Sequence, residues 1–332
     1  MQSHQPSVRI LSLHGVVPRM PVVATFEGGR SCLIETRDFE RLIAYCASRY
    51  RCIGVSQLND YLEEKTSKPA VAITFDDALA SLVDYAIPIL AKYSSKATVF
   101  VTTDWTKGQQ IPPVFLLERD LWTRIPCALS VTTFPDNLSL EIRSRQQLPK
   151  VFDQLWSHLF VSTTPPLLLK PNQVKIDGQP WRPTNPDEPR DFWMPASVSS
   201  LKRCVETGLI EIGSHGVTHA PWPSLSSQDL RHELNHSKSW LESVFQVPVS
   251  SCAYPHGRVT PEVAEVASSV YGWAFANRPG LVTNFTDRHL APRMHMASGK
   301  PFVPSLSVAY PRVAGALRRL YRLSQLKQRL TD

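Results

Sequence analysis

No run of about 18 consecutive apolar residues occurs in the chain, which leaves no candidate for a transmembrane helix. The first residues, Met1 to Pro6, are polar and lack the basic-then-apolar pattern of a secretory signal. Ile10 to Val17 is apolar but too short, and it contains His14. Cytoplasmic residence is therefore the expectation. Cysteine is sparse: six in 332 residues, none in a Cys-x-x-Cys pair. That excludes a disulfide-stapled domain and points to buried thiols. Internal repeats and low-complexity segments are lacking as well. So is a broad basic face. The net charge is +7, but Pro311 to Asp332 alone holds six basic residues against one acidic, which leaves the remainder close to neutral. Nucleic-acid binding is not expected from such a body.

What is present reads as an ordinary soluble α/β protein. The hydrophobic share is 42% and the charged share 20%. The length suffices for one large domain or two smaller ones. Val8 to Leu13 is a β-type run that stops at His14. Asp38 to Arg49 has helical periodicity through Phe39, Leu42, Ile43 and Cys46. Ser56 is placed to cap a second helix carrying Leu58, Tyr61 and Leu62. Ala70 to Phe75 is a buried-strand candidate ending at Asp76-Asp77, followed by a helix over roughly Ser81 to Tyr93 and a strand over Ala97 to Val101. This alternation predicts a parallel sheet or barrel.

From about Trp105 to Pro195 the rhythm breaks. Pro180 to Pro195 is proline-rich, and only helical patches near Val114 to Arg124 and Lys150 to Phe160 stand out. The stretch reads as an insertion or lid. The alternation resumes with a helix from Val198 to about Glu206, a strand over Leu209 to Gly213, and a long helix over Ser226 to Phe245. Ser250 to Tyr254 reads as a strand, Pro261 to Tyr271 as a helix, and Trp273 to Ala276 and Leu290 to Met294 as short strands.

Asp76 and Asp77 stand at the end of a strand candidate, where parallel α/β folds gather their chemistry. Successive side chains diverge there, so one carboxylate can bind a metal while its neighbour faces a water. Taken alone, the pair equally suits an Asx turn or a helix cap. His215 and His219 lie four residues apart after another strand candidate, and a tight turn would bring both rings to one ion. Taken alone, they are two histidines in a polar loop. One carboxylate with two imidazoles is a sensible mixed set for zinc or another first-row ion, with positions left for water and substrate.

In this combination the sequence resembles the polysaccharide deacetylase family, also known as carbohydrate esterase family 4 or the NodB-homology family. Thr74-Phe75-Asp76-Asp77 is similar to its first motif, His215 to His219 to its second, and Cys252 to Gly257, with Tyr254-Pro255, to its third. The resemblance covers roughly Val8 to Asp104 and Val198 to Met296. It implies a distorted (β/α) barrel with a long Pro-rich insertion and a C-terminal helix. Residues 1–104 and 197–300 would form the two parts of the barrel, 105–196 the insertion, and 301–332 a basic amphipathic helix.

The resemblance also implies roles. Asp77, His215 and His219 would hold one divalent ion, Zn2+ or another first-row metal. Asp76 would be the general base. The backbone N–H of Tyr254 would help stabilise the oxyanion, since Pro255 holds Tyr254 extended. His14 would protonate the leaving amine; His295 is the competing choice. Arg293 would sit by Asp76 and keep it ionised. Trp222 would line the acetyl pocket. Two departures imply a looser site or a shifted substrate: Gly216 replaces the usual Ser or Thr after the first metal histidine, and Ser250 and Ser251 stand where an arginine usually precedes Tyr-Pro.

The implied activity is metal-dependent removal of an N-acetyl group from an amino sugar in a glycan or glycoconjugate. Hydrolysis of a non-sugar amide or cyclic imide, and glycan binding without catalysis, are the alternatives. The tail spaces Leu317, Leu320, Leu323, Leu326 and Leu330 as on a helix, with arginines between. It reads as a packed terminal helix, or as one resting peripherally on the inner membrane face beside a lipid-linked glycan.

Overall fold

A strand covered on both faces needs no polar alternation, and Ala70–Phe75 has none: every residue in it is buried. The computed structural model describes residues 6–20, 32–64, 68–109, 111, 113–132, 137–161, 173–182 and 192–296. The strands are β1 (Val8–Leu13), β2 (Gly15–Val17), β3 (Leu33–Glu35), β4 (Arg51–Ile53), β5 (Ala70–Phe75), β6 (Ala97–Val101), β7 (Cys127–Val131), β8 (Leu138–Ile142), β9 (Val174–Ile176), β10 (Gln179–Pro180), β11 (Ile210–Ser214), β12 (Ser251–Ala253), β13 (Trp273–Ala276), β14 (Ala291–Pro292) and β15 (Met294–His295). The α-helices are α1 (Thr36–Arg49), α2 (Leu58–Glu63), α3 (Ile87–Lys92), α4 (Thr103–Gly108), α5 (Pro113–Arg124), α6 (Leu148–Val161), α7 (Val198–Glu206), α8 (Ser227–Phe245) and α9 (Pro261–Ser268).

The main sheet runs β14-β13-β12-β11-β6-β5-β1-β15, with β4 also on β5. All its pairings are parallel. Strand β14 pairs with β13, while β15 pairs with β1 at the opposite edge. Only Arg293 separates β14 from β15. The stretch 291–295 therefore ties the two edges together and closes the sheet into a distorted (β/α) barrel.

Alternation along the strands then sorts residues between two faces. Leu11, Leu13, Val71, Ile73, Phe75, Val99 and Val101 pack in one cluster with helix residues such as Phe39, Leu42, Leu90, Leu201, Leu234 and Val263. Ile10, Ala72, Phe100, Ala253 and Phe275 fall in a separate cluster, the barrel interior. Each fully buried aliphatic or aromatic side chain here contributes about 1.5–3 kcal/mol. On β5 the interior series is Ala70, Ala72 and Thr74, and Asp76 continues it.

Three local expectations shift. Ser56 does not cap α2: its N–H and hydroxyl donate to the Glu211 carboxylate at 3.1 and 2.7 Å, tying the loop after β4 to β11. The helix expected over Ser81 to Tyr93 begins as a wide π turn, Leu82–Ala86, before α3. Pro88 has no N–H to give, and the Ile87 N–H reaches the Leu82 carbonyl instead. In the stretch expected to hold only helical patches, a four-stranded antiparallel sheet, β10-β9-β7-β8, accompanies α5 and α6. Its apolar cluster includes Leu117, Leu129, Phe152 and Trp181, together with Val17, Leu33 and Leu79 from the barrel side. The chain leaving it runs antiparallel to the segment after β5: the Ala80 N–H donates to Met194 at 2.7 Å, and the Ala196 N–H to Ala78 at 2.8 Å.

The expected helix over 301–332 lies outside the described residues. Among the described residues no helix is long and apolar enough to cross a membrane, and the cysteines form no disulfide.

Candidate metal centre and catalytic site

Because the barrel strands are parallel, their carboxyl ends share one rim. His14 follows β1, Asp76 and Asp77 follow β5, His215 follows β11 and Tyr254 follows β12. At β5 the chain bends sharply. Asp77 and Ala78 both adopt left-handed conformations, with φ of 69° and 56°. Each costs roughly 1–2 kcal/mol for a non-glycine residue. The hydrogen bonds to Met194 and Ala196 lie just past this bend and hold it.

The bend turns the Asp77 side chain toward the histidine loop. Its Oδ1 lies 3.4 Å from His219 Nε2 and 3.7 Å from His215 Nε2. One donor atom from each of the three residues falls within 4.8 Å of the others. For tetrahedral ligands about 2.1 Å from a zinc ion, neighbouring donors stand about 3.4 Å apart. Asp77 Oδ1 is buried and makes no hydrogen bond, a costly state for a carboxylate oxygen unless a cation compensates it. Burial, and then the adjoining Asp76, push the Asp77 carboxyl well above its ordinary range.

The imidazoles are prepared in the matching sense. His215 Nδ1 lies 2.8 Å from the Ala253 carbonyl. A carbonyl only accepts, so Nδ1 carries the proton and Nε2 presents its lone pair to Asp77's side. Burial is the main cause that holds both His215 and His219 below the usual imidazole range, hence neutral. Neutral imidazole is the form that binds metal. The donor set and its spacing fit a divalent ion.

Asp76 meets a different environment. Arg293, buried between β14 and β15, donates two hydrogen bonds to its carboxylate at 2.6 and 2.9 Å. The same guanidinium donates to Thr74 Oγ1 at 3.3 Å and lies over the Phe100 ring. Burial works to raise the Asp76 carboxyl, but Arg293 outweighs it and holds the group well below the usual carboxylate range. His14 Nε2 stands 3.9 Å from Asp76 Oδ2, and the His14 ring packs edge-on against His295. Burial drives His14 down to about 3, against the field of Asp76.

Residues 63–126 and 187–271 match the polysaccharide deacetylase family. These stretches carry Asp76, Asp77, His215, His219 and Tyr254, and they leave out the antiparallel sheet. The chain carries a polysaccharide deacetylase domain. It is thus a hydrolase of carbon–nitrogen bonds. Solved structures share this deacetylase fold at low identity. The Streptococcus pyogenes deacetylase PplD, in complex with acetate, is 15% identical with a TM-score of 0.59 over 91% of this chain and 97% of that one. IcaB from Ammonifex degensii is 16% identical, with a TM-score of 0.54 over 93% and 96%. A polysaccharide deacetylase from Bacillus cereus is 17% identical, with a TM-score of 0.56 over 91% and 68%. No curated protein matches the chain.

Two expectations for this deacetylase-family site are corrected by its geometry. The Tyr254 N–H donates to the Phe275 carbonyl at 3.1 Å, so it belongs to the β12–β13 ladder and does not point at a reacting oxygen. The Tyr254 side chain is fully buried and its hydroxyl donates to the His289 carbonyl. Trp222 is also fully buried, edge-on to Tyr254 and close to Gly216, so it supports the histidine loop and does not line an open pocket. Two other rings flank the site. Half-buried Trp105, on α4, lies 4.7 Å from the His219 ring, and exposed His256 lies 4.4 Å from the same ring. Trp105 was legible only as one aromatic at the start of the insertion, and His256 only as the variable position of the third motif.

Proposed function

We propose that this chain removes acetyl groups from N-acetylated amino sugars of a glycan or glycoconjugate, with one divalent ion held by Asp77, His215 and His219. The observation that carries this reading is the pairing of that three-donor cluster with a second carboxylate, Asp76, clamped by Arg293. Zn2+ suits the donors, and other first-row ions share the preference. When bound, such an ion supplies Lewis acidity, polarising a carbonyl and making water nucleophilic near neutral pH.

The chain's own groups manage the proton. Asp76, kept ionised by Arg293, accepts it from the water as the oxygen adds to the acetyl carbon. Once protonated, Asp76 is a strong acid in a buried place. His14 starts neutral, so the proton it gives to the leaving nitrogen has to arrive during turnover, and Asp76 at 3.9 Å is the group that brings it. The carbon–nitrogen bond then breaks, releasing acetate and the free amine. Proximity to Asp76 favours His14 over His295 as the acid.

On this reading residues 1–104 and 197–300 make up the barrel, 105–196 the insertion or lid, and 301–332 the basic amphipathic C-terminal helix. Trp105 is the ring best placed to meet a sugar. Acetate release from a panel of N-acetylated glycans, run with and without a chelator and beside cyclic imides, tests the proposal. Chelator-sensitive acetate release from the glycans is expected. Turnover of the imides alone would assign the site to non-sugar amides, and turnover of neither would leave a binding role.

A further inference from the structure

The loop between the two metal histidines begins with Gly216, so the position directly after His215 offers no hydroxyl to brace it. The structure puts a carboxylate there instead. Glu233, on the buried face of α8, is 4% exposed. Its carboxylate accepts from the Val217 N–H at 2.6 Å, from the Thr218 N–H at 3.2 and 3.3 Å, and from the Thr218 hydroxyl at 2.6 Å. Gly216 makes room for it: a Cβ at that position would sit 2.6 Å from Glu233 Oε2, and the backbone φ there is +83°. One turn further along α8, Ser237 contacts Ser214 at 2.7 Å, and Ser214 Oγ accepts from the Gly216 N–H at 3.1 Å. Every main-chain amide from Gly216 to Thr218 is thus fixed by α8 or by a serine that α8 holds.

We propose that Glu233 is a positioning residue that sets the spacing of His215 and His219 for metal binding. This rests on the metal-site reading above. Val217 and Thr218 lie between the two ligands, so the carboxylate fixes the turn that aims both rings. Both of its oxygens face N–H or O–H donors, and an amide nitrogen in place of either would meet donor with donor. Groups that orient metal ligands are worth about 10–100-fold in affinity.

The test is the Zn2+ dissociation constant, measured by competition with a chromogenic chelator well below the unfolding temperature. E233Q should bind about 10–100-fold more weakly than wild type. T218V, which removes one donor and keeps the carboxylate, should weaken binding by a smaller factor. E233Q combined with T218V should lose less than the two factors multiplied, because both act on one contact. A purely structural role would lower the unfolding temperature and leave the constant unchanged. An E233Q constant within about twofold of wild type overturns the proposal while leaving the metal reading intact. If E233Q does not fold, an unchanged constant for T218V overturns it. If wild type binds no Zn2+, both readings fall.

Discussion

Asp76 and Asp77 are neighbours, chemically identical and both buried, yet their surroundings drive them apart. Arg293 holds the first low, while burial and the first aspartate push the second up. Divergence of this kind separates the roles of paired carboxylates. Asp76→Asn should keep its metal and lose turnover by about 10²–10⁴-fold, read from metal content and initial rates. Arg293→Lys keeps a charge but loses the two-pronged contact, so the Asp76 anion is less stabilised and its pKa rises. The acid limb of kcat/KM against pH should move upward by on the order of one unit. An unmoved limb would remove Arg293 from this role. At Asp77 a proton and the metal compete for one carboxylate. Metal affinity should therefore rise with pH until the raised Asp77 pKa is passed, and dialysis across a pH series reads this. That Asp76 and Asp77 would meet His215 and His219 was legible because their motifs are local. The errors at Tyr254 and Trp222 were not avoidable in that way: which carbonyl an N–H meets, and which face of a ring is covered, depend on β13 and on the Gly216 turn packing from elsewhere in the chain.

Two short connections do much of the positioning between elements. The stretch 291–295 closes the barrel and delivers Arg293 to the interior. The segment 194–196 braces the left-handed bend at Asp77 and Ala78 from the far end of the insertion. Ala196→Pro removes the N–H that donates to Ala78. It should weaken metal binding more than it lowers stability in the metal-free state, a contrast read by comparing dialysis with chemical unfolding. Equal metal affinity would show that the bend holds itself. Strands β5, β6 and β13 were legible with their limits because they are short and, apart from Thr74 and Thr98, apolar. Strands β7 and β8 were missed although both alternate, as Cys127-Ala128-Leu129-Ser130-Val131 shows; proline and the helical patches around them dominated the pattern. The π turn before α3 escaped because a helix with Pro88 near its middle can shift its hydrogen bonds and still look periodic.

The whole molecule turns four distant stretches of chain, near residues 14, 76, 217 and 293, into one rim. Parallel topology does this without any local signal, which is why the barrel was foreseen through its motifs and its strand–helix rhythm rather than through contacts. Since an unfolded chain offers no such convergence, an added ion should stabilise only the folded form. At free Zn2+ about 100 times the dissociation constant, the gain should be about 2.7 kcal/mol in wild type. His215→Ala should show almost none of it. The most direct measurement is anomalous scattering from crystals of metal-loaded protein. One ion is predicted, about 2.0–2.2 Å from Asp77, His215 and His219, with Asp76 still paired to Arg293 and not bound to the ion. An ion held elsewhere, or these three side chains turned away from one another in the loaded protein, would contradict the account.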